Sequence, residues 1–114
     1  MTAMAGEEKA AHSFRVGCAA DAAYKACIAA AASMPGVSVT AADESAHTVD
    51  LSFRASLWTR GEDVRLVLLP AGEAETLVCI YSETQSKATG KAKNRRNYED
   101  LECAVRWQLS RSPG

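Results

Sequence analysis

The chain has 114 residues, 47% of them hydrophobic and 24% charged, a balance that fits one soluble globular domain and excludes a disordered or fibrous chain. Thirteen basic side chains against fourteen acidic ones leave a formal charge of -1, so no global field steers the protein onto nucleic acid or membrane. No stretch approaches the roughly eighteen apolar residues of a membrane span.

Residues 1–12 carry Glu7, Glu8 and Lys9 among alanines, with no apolar run of signal-peptide length. They read as a flexible tail, the protein as cytoplasmic, and residues 13–110 as a single domain followed by a short tail at 111–114. The alternation of Phe14, Val16 and Cys18 with Ser13, Arg15 and Gly17 predicts a half-buried strand. A helix follows, with Asp21 in its first turn and Tyr24, Cys27, Ile28 and Ala31 at i, i+3, i+4, i+7, ended by Pro35-Gly36.

From Val37 the period changes to two. Val37, Val39 and Ala41 predict one strand, and Asp43-Glu44-Ser45 a turn. Val49, Leu51, Phe53 and Ala55, alternating with Asp50, Ser52 and Arg54, predict the next strand. Arg60 to Asp63, with Arg65, reads as an exposed hairpin end, and strands at Val64–Leu69 and Thr76–Ser82 flank a turn at Pro70-Ala71-Gly72-Glu73. The last helix opens either at Asn97, with Glu99 and Asp100 in its first turn, or near Gly90. In both cases Tyr98, Leu101, Val105 and Leu109 form its buried stripe and Trp107 falls on the far side. The expected fold is α+β: five mostly antiparallel strands with two helices on one face, in the order β-α-β-β-β-β-α.

Both faces of the last two strands are apolar, whereas two helices cover only one face of a sheet. Val67, Leu69, Val78 and Ile80, with Trp107, are therefore the candidate interface residues, for self-association as a homodimer or for a protein partner. Five of the thirteen basic residues fall between Lys87 and Arg96. If the last helix begins early, Lys91 and Asn94 continue its inward stripe as a poor core and mark the mouth of a groove. Lys91, Asn94, Arg95, Arg96 and Tyr81 are then candidate binding residues for the anionic end of an apolar or amphiphilic ligand. The same basic run could meet phosphates, but base-stacking aromatics do not interleave it and the chain as a whole is slightly acidic.

Four cysteines show no Cys-x-x-Cys, and neither His12 nor His47 stands at metal-ligand spacing from them, so no metal and no cofactor are expected and the thiols read as reduced. Both histidines read as solvated, and no phosphate loop or nucleophile-base pair is evident. The chain is therefore read as a non-enzymatic binding domain. The run through "GVSVTAADESAHTVDLSFR", "GEDVRLVLLPAGEAETLVCIYSETQS" and "GKAKNRRNYEDLECAV" resembles a family of small bacterial domains of unknown function, over residues 13 to 110. That family has βαββββα order and a Gly-x-x-x-Asn-x-Arg entry into its last helix, matched by Gly90, Asn94 and Arg96. The resemblance implies the fold and supplies no catalytic residue, and Tyr81-Ser82-Glu83-Thr84 departs from the family's Ser-Arg-Ser strand end.

Overall fold

The computed structural model describes residues 10–55, 61–82 and 87–111, with side chains in the last segment from Arg95 onward. Five strands, β1 (His12–Val16), β2 (Val37–Asp43), β3 (Thr48–Phe53), β4 (Glu62–Gly72) and β5 (Glu75–Ser82), form one antiparallel sheet in the order β1-β5-β4-β3-β2. Helix α1 (Ala20–Ser33) links β1 to β2, and α2 (Lys87–Arg111) follows β5. The order and class are those expected from periodicity.

Register assigns the two faces. Phe14 lies opposite Val78, Leu66 opposite Ile80 and Val49 opposite Leu66, so these residues share the face that packs on the helices. With Val16, Leu51, Phe53, Val64 and Leu68 they form one core with Tyr24 and Cys27 of α1 and Tyr98, Leu101 and Val105 of α2. The alanines of α1 do more than favour helix. Ala23, Ala26, Ala30 and Ala31 are buried, and a small side chain lets the helix axis approach the sheet closely. Helix α1 stops at Met34, because Pro35 has no amide hydrogen and Gly36 takes a φ of +79°, a left-handed conformation that a side chain would strain. Gly36 O then accepts from Arg54 N at 2.8 Å, tying the turn to the end of β3.

Strand β2 is an edge strand, exposed along most of its length, with its register broken between Val39 and Ala41. A bulge of this kind blunts an edge against pairing with another chain. The turn into β3 is closed by Asp43, whose Oδ1 accepts from Ser45 Oγ at 2.9 Å and Ala46 N at 3.2 Å. His47 in that turn has a φ of 55° and contacts Asp21 Oδ1 of α1 through Nε2 at 2.8 Å.

Four expectations are corrected. The last helix starts at Lys87, close to the earlier of the two starts considered, so Asn97 is a mid-helix residue, buried, and not an N-cap. The lysines, arginines and alanines of residues 87–97 are good helix formers that outweigh the single Gly90. Ala55 lies beyond β3 and Cys18 beyond β1, since both strands end earlier than the alternation does. His12 belongs to β1 and not to a tail: its Nε2 lies 2.8 Å from Glu102 Oε1 of α2, and its ring stacks on Tyr98 at 6.2 Å. Both histidines are thus paired with carboxylates instead of being free in solvent.

Besides the exposed Asp43 of the turn, held low by its hydrogen bonds from Ser45 and Ala46, two carboxylates are expected to make the fold acid-sensitive. A bidentate hydrogen bond from Arg65 (2.7 and 3.1 Å) holds Asp50 below its ordinary value of 3.8. Burial pushes Glu102 up from its ordinary 4.5, but hydrogen bonds from His12 and Arg106 outweigh it and the net shift is downward. A carboxyl with a lowered folded pKa contributes stability above its unfolded value and loses it as pH falls through the folded one. The melting temperature is therefore expected to fall as the pH drops below about 4, with a shallower fall in Glu102→Gln; thermal melts followed by circular dichroism from about pH 7 to about pH 2.5 check it.

Candidate functional site

The candidate interface residues do not form one surface. Val67 and Leu69 lie on the outer face of β4 and are half-buried, but Val78 and Ile80 point the other way and are 0% exposed beneath the helices. In an antiparallel pair, residues directly opposite share a face, and Val78 and Ile80 stand opposite Leu68 and Leu66, the inward side chains of β4. The assignment of Val78 and Ile80 to the second face is therefore corrected; the outer face of β5 is carried by Leu77, Cys79 and Tyr81. Trp107 is on neither face. It is 55% exposed on the solvent side of α2, with the Arg111 guanidinium 4.5 Å above its ring. Among the described residues the large apolar side chains that stand exposed are Val39 and Trp107, and both are isolated.

The candidate binding residues also separate. Arg95 and Arg96 are exposed on α2, and Lys91 and Asn94 are in its helical backbone, their side chains outside the described residues. Tyr81 is not at a groove mouth beside them: it stands opposite Arg65, on the sheet face away from the helices. The Leu57-Trp58 loop, which the sequence offers as another cover for the second face of the last two strands, lies outside the described residues. A groove of about 480 Å³ runs between α1 and the last turns of α2, lined by Lys25, Ala29, Leu109 and Arg111, but it opens on the solvent side of the helices and not between helix and sheet.

What the fold does assemble is a buried polar cluster in the segment that reads as an exposed hairpin end. Glu62 opens β4 opposite Phe53 and is only 5% exposed. Its Oε2 accepts two hydrogen bonds of 2.6 Å, from Ser82 Oγ at the end of β5 and from the Tyr98 hydroxyl of α2. Its Oε1 is buried and has no hydrogen-bond partner among the described residues, and the same holds for Asn97 Nδ2, one residue before Tyr98. Burial, and next the hydrogen bond to the Glu62 carboxylate, hold the Tyr98 phenol well above its ordinary range, so it stays a donor at neutral pH. Gly61 lets β4 begin this close to β3: a Cβ there would lie 3.2 Å from Ala55 N and 3.3 Å from Phe53 O. The sequence did hold one signal for Glu62. It has the same parity as Val64, Leu66 and Leu68, so alternation alone turns it inward.

Burial also pushes the Cys27 thiol up to about 12, which makes it an inert core residue at neutral pH. Among the described residues no group of three or more His, Cys, Asp or Glu could hold a metal ion, and no helix is long and apolar enough to cross a membrane.

No family model matches the chain, and no curated protein does. Solved structures do match. TTHA0849 from Thermus thermophilus aligns over 90% of this chain and 97% of its own, at 10% identity and a TM-score of 0.55. A START superfamily protein from Mycobacterium smegmatis aligns over 88% and 95%, at 12% identity and 0.55. The Zhui aromatase/cyclase from Streptomyces sp. R1128 aligns over 88% and 92%, at 10% identity and 0.53. At such identities the likeness concerns the fold alone: this chain is built on the helix-and-sheet architecture seen in a START superfamily structure.

Proposed function

We propose that the protein binds a small apolar or amphiphilic molecule between the sheet and the N-terminal half of α2, as a binding domain without chemistry of its own. One observation carries this reading. Helix α2 begins at Lys87, and counting back from Tyr98 by four and by seven residues reaches Asn94 and Lys91. In the sequence, the positions that continue the stripe of Tyr98, Leu101 and Val105 toward the start of the helix are thus polar residues. A polar continuation of an apolar stripe closes a core poorly, and beside Tyr98 the buried Glu62 keeps one carboxylate oxygen without a partner among the described residues, which supports a ligand site at this end of the core. The chain shares its architecture with a START superfamily protein, and the name of the Zhui aromatase/cyclase keeps turnover as the alternative.

Self-association through the outer sheet face is left with Val67 and Leu69 alone of its original strand residues, and for nucleic-acid contact by the Lys87–Arg96 run Arg95 and Arg96 are exposed, the three lysine side chains lying outside the described residues. Native mass spectrometry of the purified protein, paired with thermal-shift assays against fatty acids, isoprenoids and naphthalene derivatives, tests the pocket. The expected result is a retained small molecule, or a melting temperature raised on the order of 10 °C at a hundredfold excess over Kd. A bare monomer that no compound stabilises would refute the reading, and a bare dimer would return attention to Val67 and Leu69.

A further inference from the structure

We infer that Glu62 is the polar anchor of this pocket and selects a ligand whose buried end donates a hydrogen bond, an alcohol, phenol or ammonium group. This deepens the ligand-binding reading and rests on it. A carboxylate taken out of water needs donors on both oxygens, and a buried acceptor without one costs more than an ordinary hydrogen bond contributes. Here two hydroxyls, Ser82 Oγ and Tyr98 Oη, converge on Oε2, while Oε1 is buried and without a partner among the described residues. The two bonds fix the carboxylate from two sides, one from β5 and one from α2, so that its second oxygen is presented in a set direction. Ser82 ends β5 and Tyr98 is the first of the described α2 side chains in the apolar core, so the cluster stands at that end of the core, toward the proposed pocket. The Tyr98 phenol cannot relieve the deficit, because its single proton is already donated to Oε2. A ligand that brings a donor completes the cluster. One that brings only an acceptor or a hydrocarbon end leaves Oε1 unserved.

The test uses a matched pair with one aromatic body: 2-naphthol, which donates, and 2-methoxynaphthalene, which does not. Isothermal titration calorimetry on the intact protein is expected to give 2-naphthol an affinity at least tenfold the higher. In Glu62→Gln, where the amide oxygen keeps Ser82 and Tyr98 satisfied while a donor replaces Oε1, the ratio is expected to fall to within threefold or to invert. Equal binding of both compounds to the natural protein overturns the role of Glu62 and leaves the pocket standing. A donor preference that survives in Glu62→Gln overturns the assignment to this residue. If neither compound binds, the inference falls, and a bare native mass spectrum with no stabilising compound then takes the pocket with it. Should Glu62→Gln fail to fold, the matched pair on the natural protein still decides, as does the formula of any retained molecule: one without a hydroxyl or amine overturns the inference.

Discussion

Val78→Lys is expected to unfold the protein, while Val67→Lys, on the neighbouring strand, leaves it folded. Val78 is 0% exposed on the helix side of β5, opposite Leu68 of β4 and Phe14 of β1. An ammonium there either enters the core uncompensated, at a cost of several kcal/mol, or drags β5 away from both neighbours. Against a total stability on the order of 5–15 kcal/mol, that is enough to abolish the cooperative transition. Val67 is half-buried on the other face, where a lysine stem can lie along the sheet with its charge in water, and its replacement is expected to cost about 1 kcal/mol or less. Urea titration followed by circular dichroism separates the two: no folded baseline for Val78→Lys, a near-normal midpoint for Val67→Lys. Equal behaviour would mean that the faces of β4 and β5 are misassigned.

Leu101→Ala is the second large effect. This side chain is fully buried where α2 meets the core, and truncating it removes apolar burial and leaves a cavity between helix and sheet, for a loss of about 2–5 kcal/mol. Trp107→Ala, further along the same helix and a larger truncation, is expected to cost no more than about 1 kcal/mol, because it gives up a solvent-side stack with Arg111 and no core packing. The two midpoints in the same urea titration check this. A Trp107 effect as large as that of Leu101 would mean that the tryptophan is covered in solution.

The contrast between these pairs shows where sequence reading works and where it stops. For β3 the alternation of Val49, Leu51 and Phe53 with polar residues named the buried face correctly, because a period of two leaves one choice once a strand is assumed. For β5 the run Leu77-Val78-Cys79-Ile80 is apolar on both faces, and no pattern within it says which face meets the helices. The register against Leu66, Leu68 and Phe14 decides that. Glu62 was misread for a related reason. Its neighbours Arg60, Gly61 and Asp63 mark a turn, and turn composition outweighed parity, although the residue already belongs to the strand.

From the sequence alone came the class, the element order, the Pro35-Gly36 stop and the apolar stripe of α2, since these rest on local periodicity and on residues whose backbone preferences act wherever they stand. Only the tertiary structure decided which face of β5 is inside, that α2 starts at Lys87, that His12 and His47 are tied to Glu102 and Asp21, and that Glu62, Ser82 and Tyr98 meet. The side-chain pairings among these join residues far apart in the chain, 90 positions in the case of His12 and Glu102. Such pairing follows from strand order and helix docking and leaves no mark in the spacing along the chain.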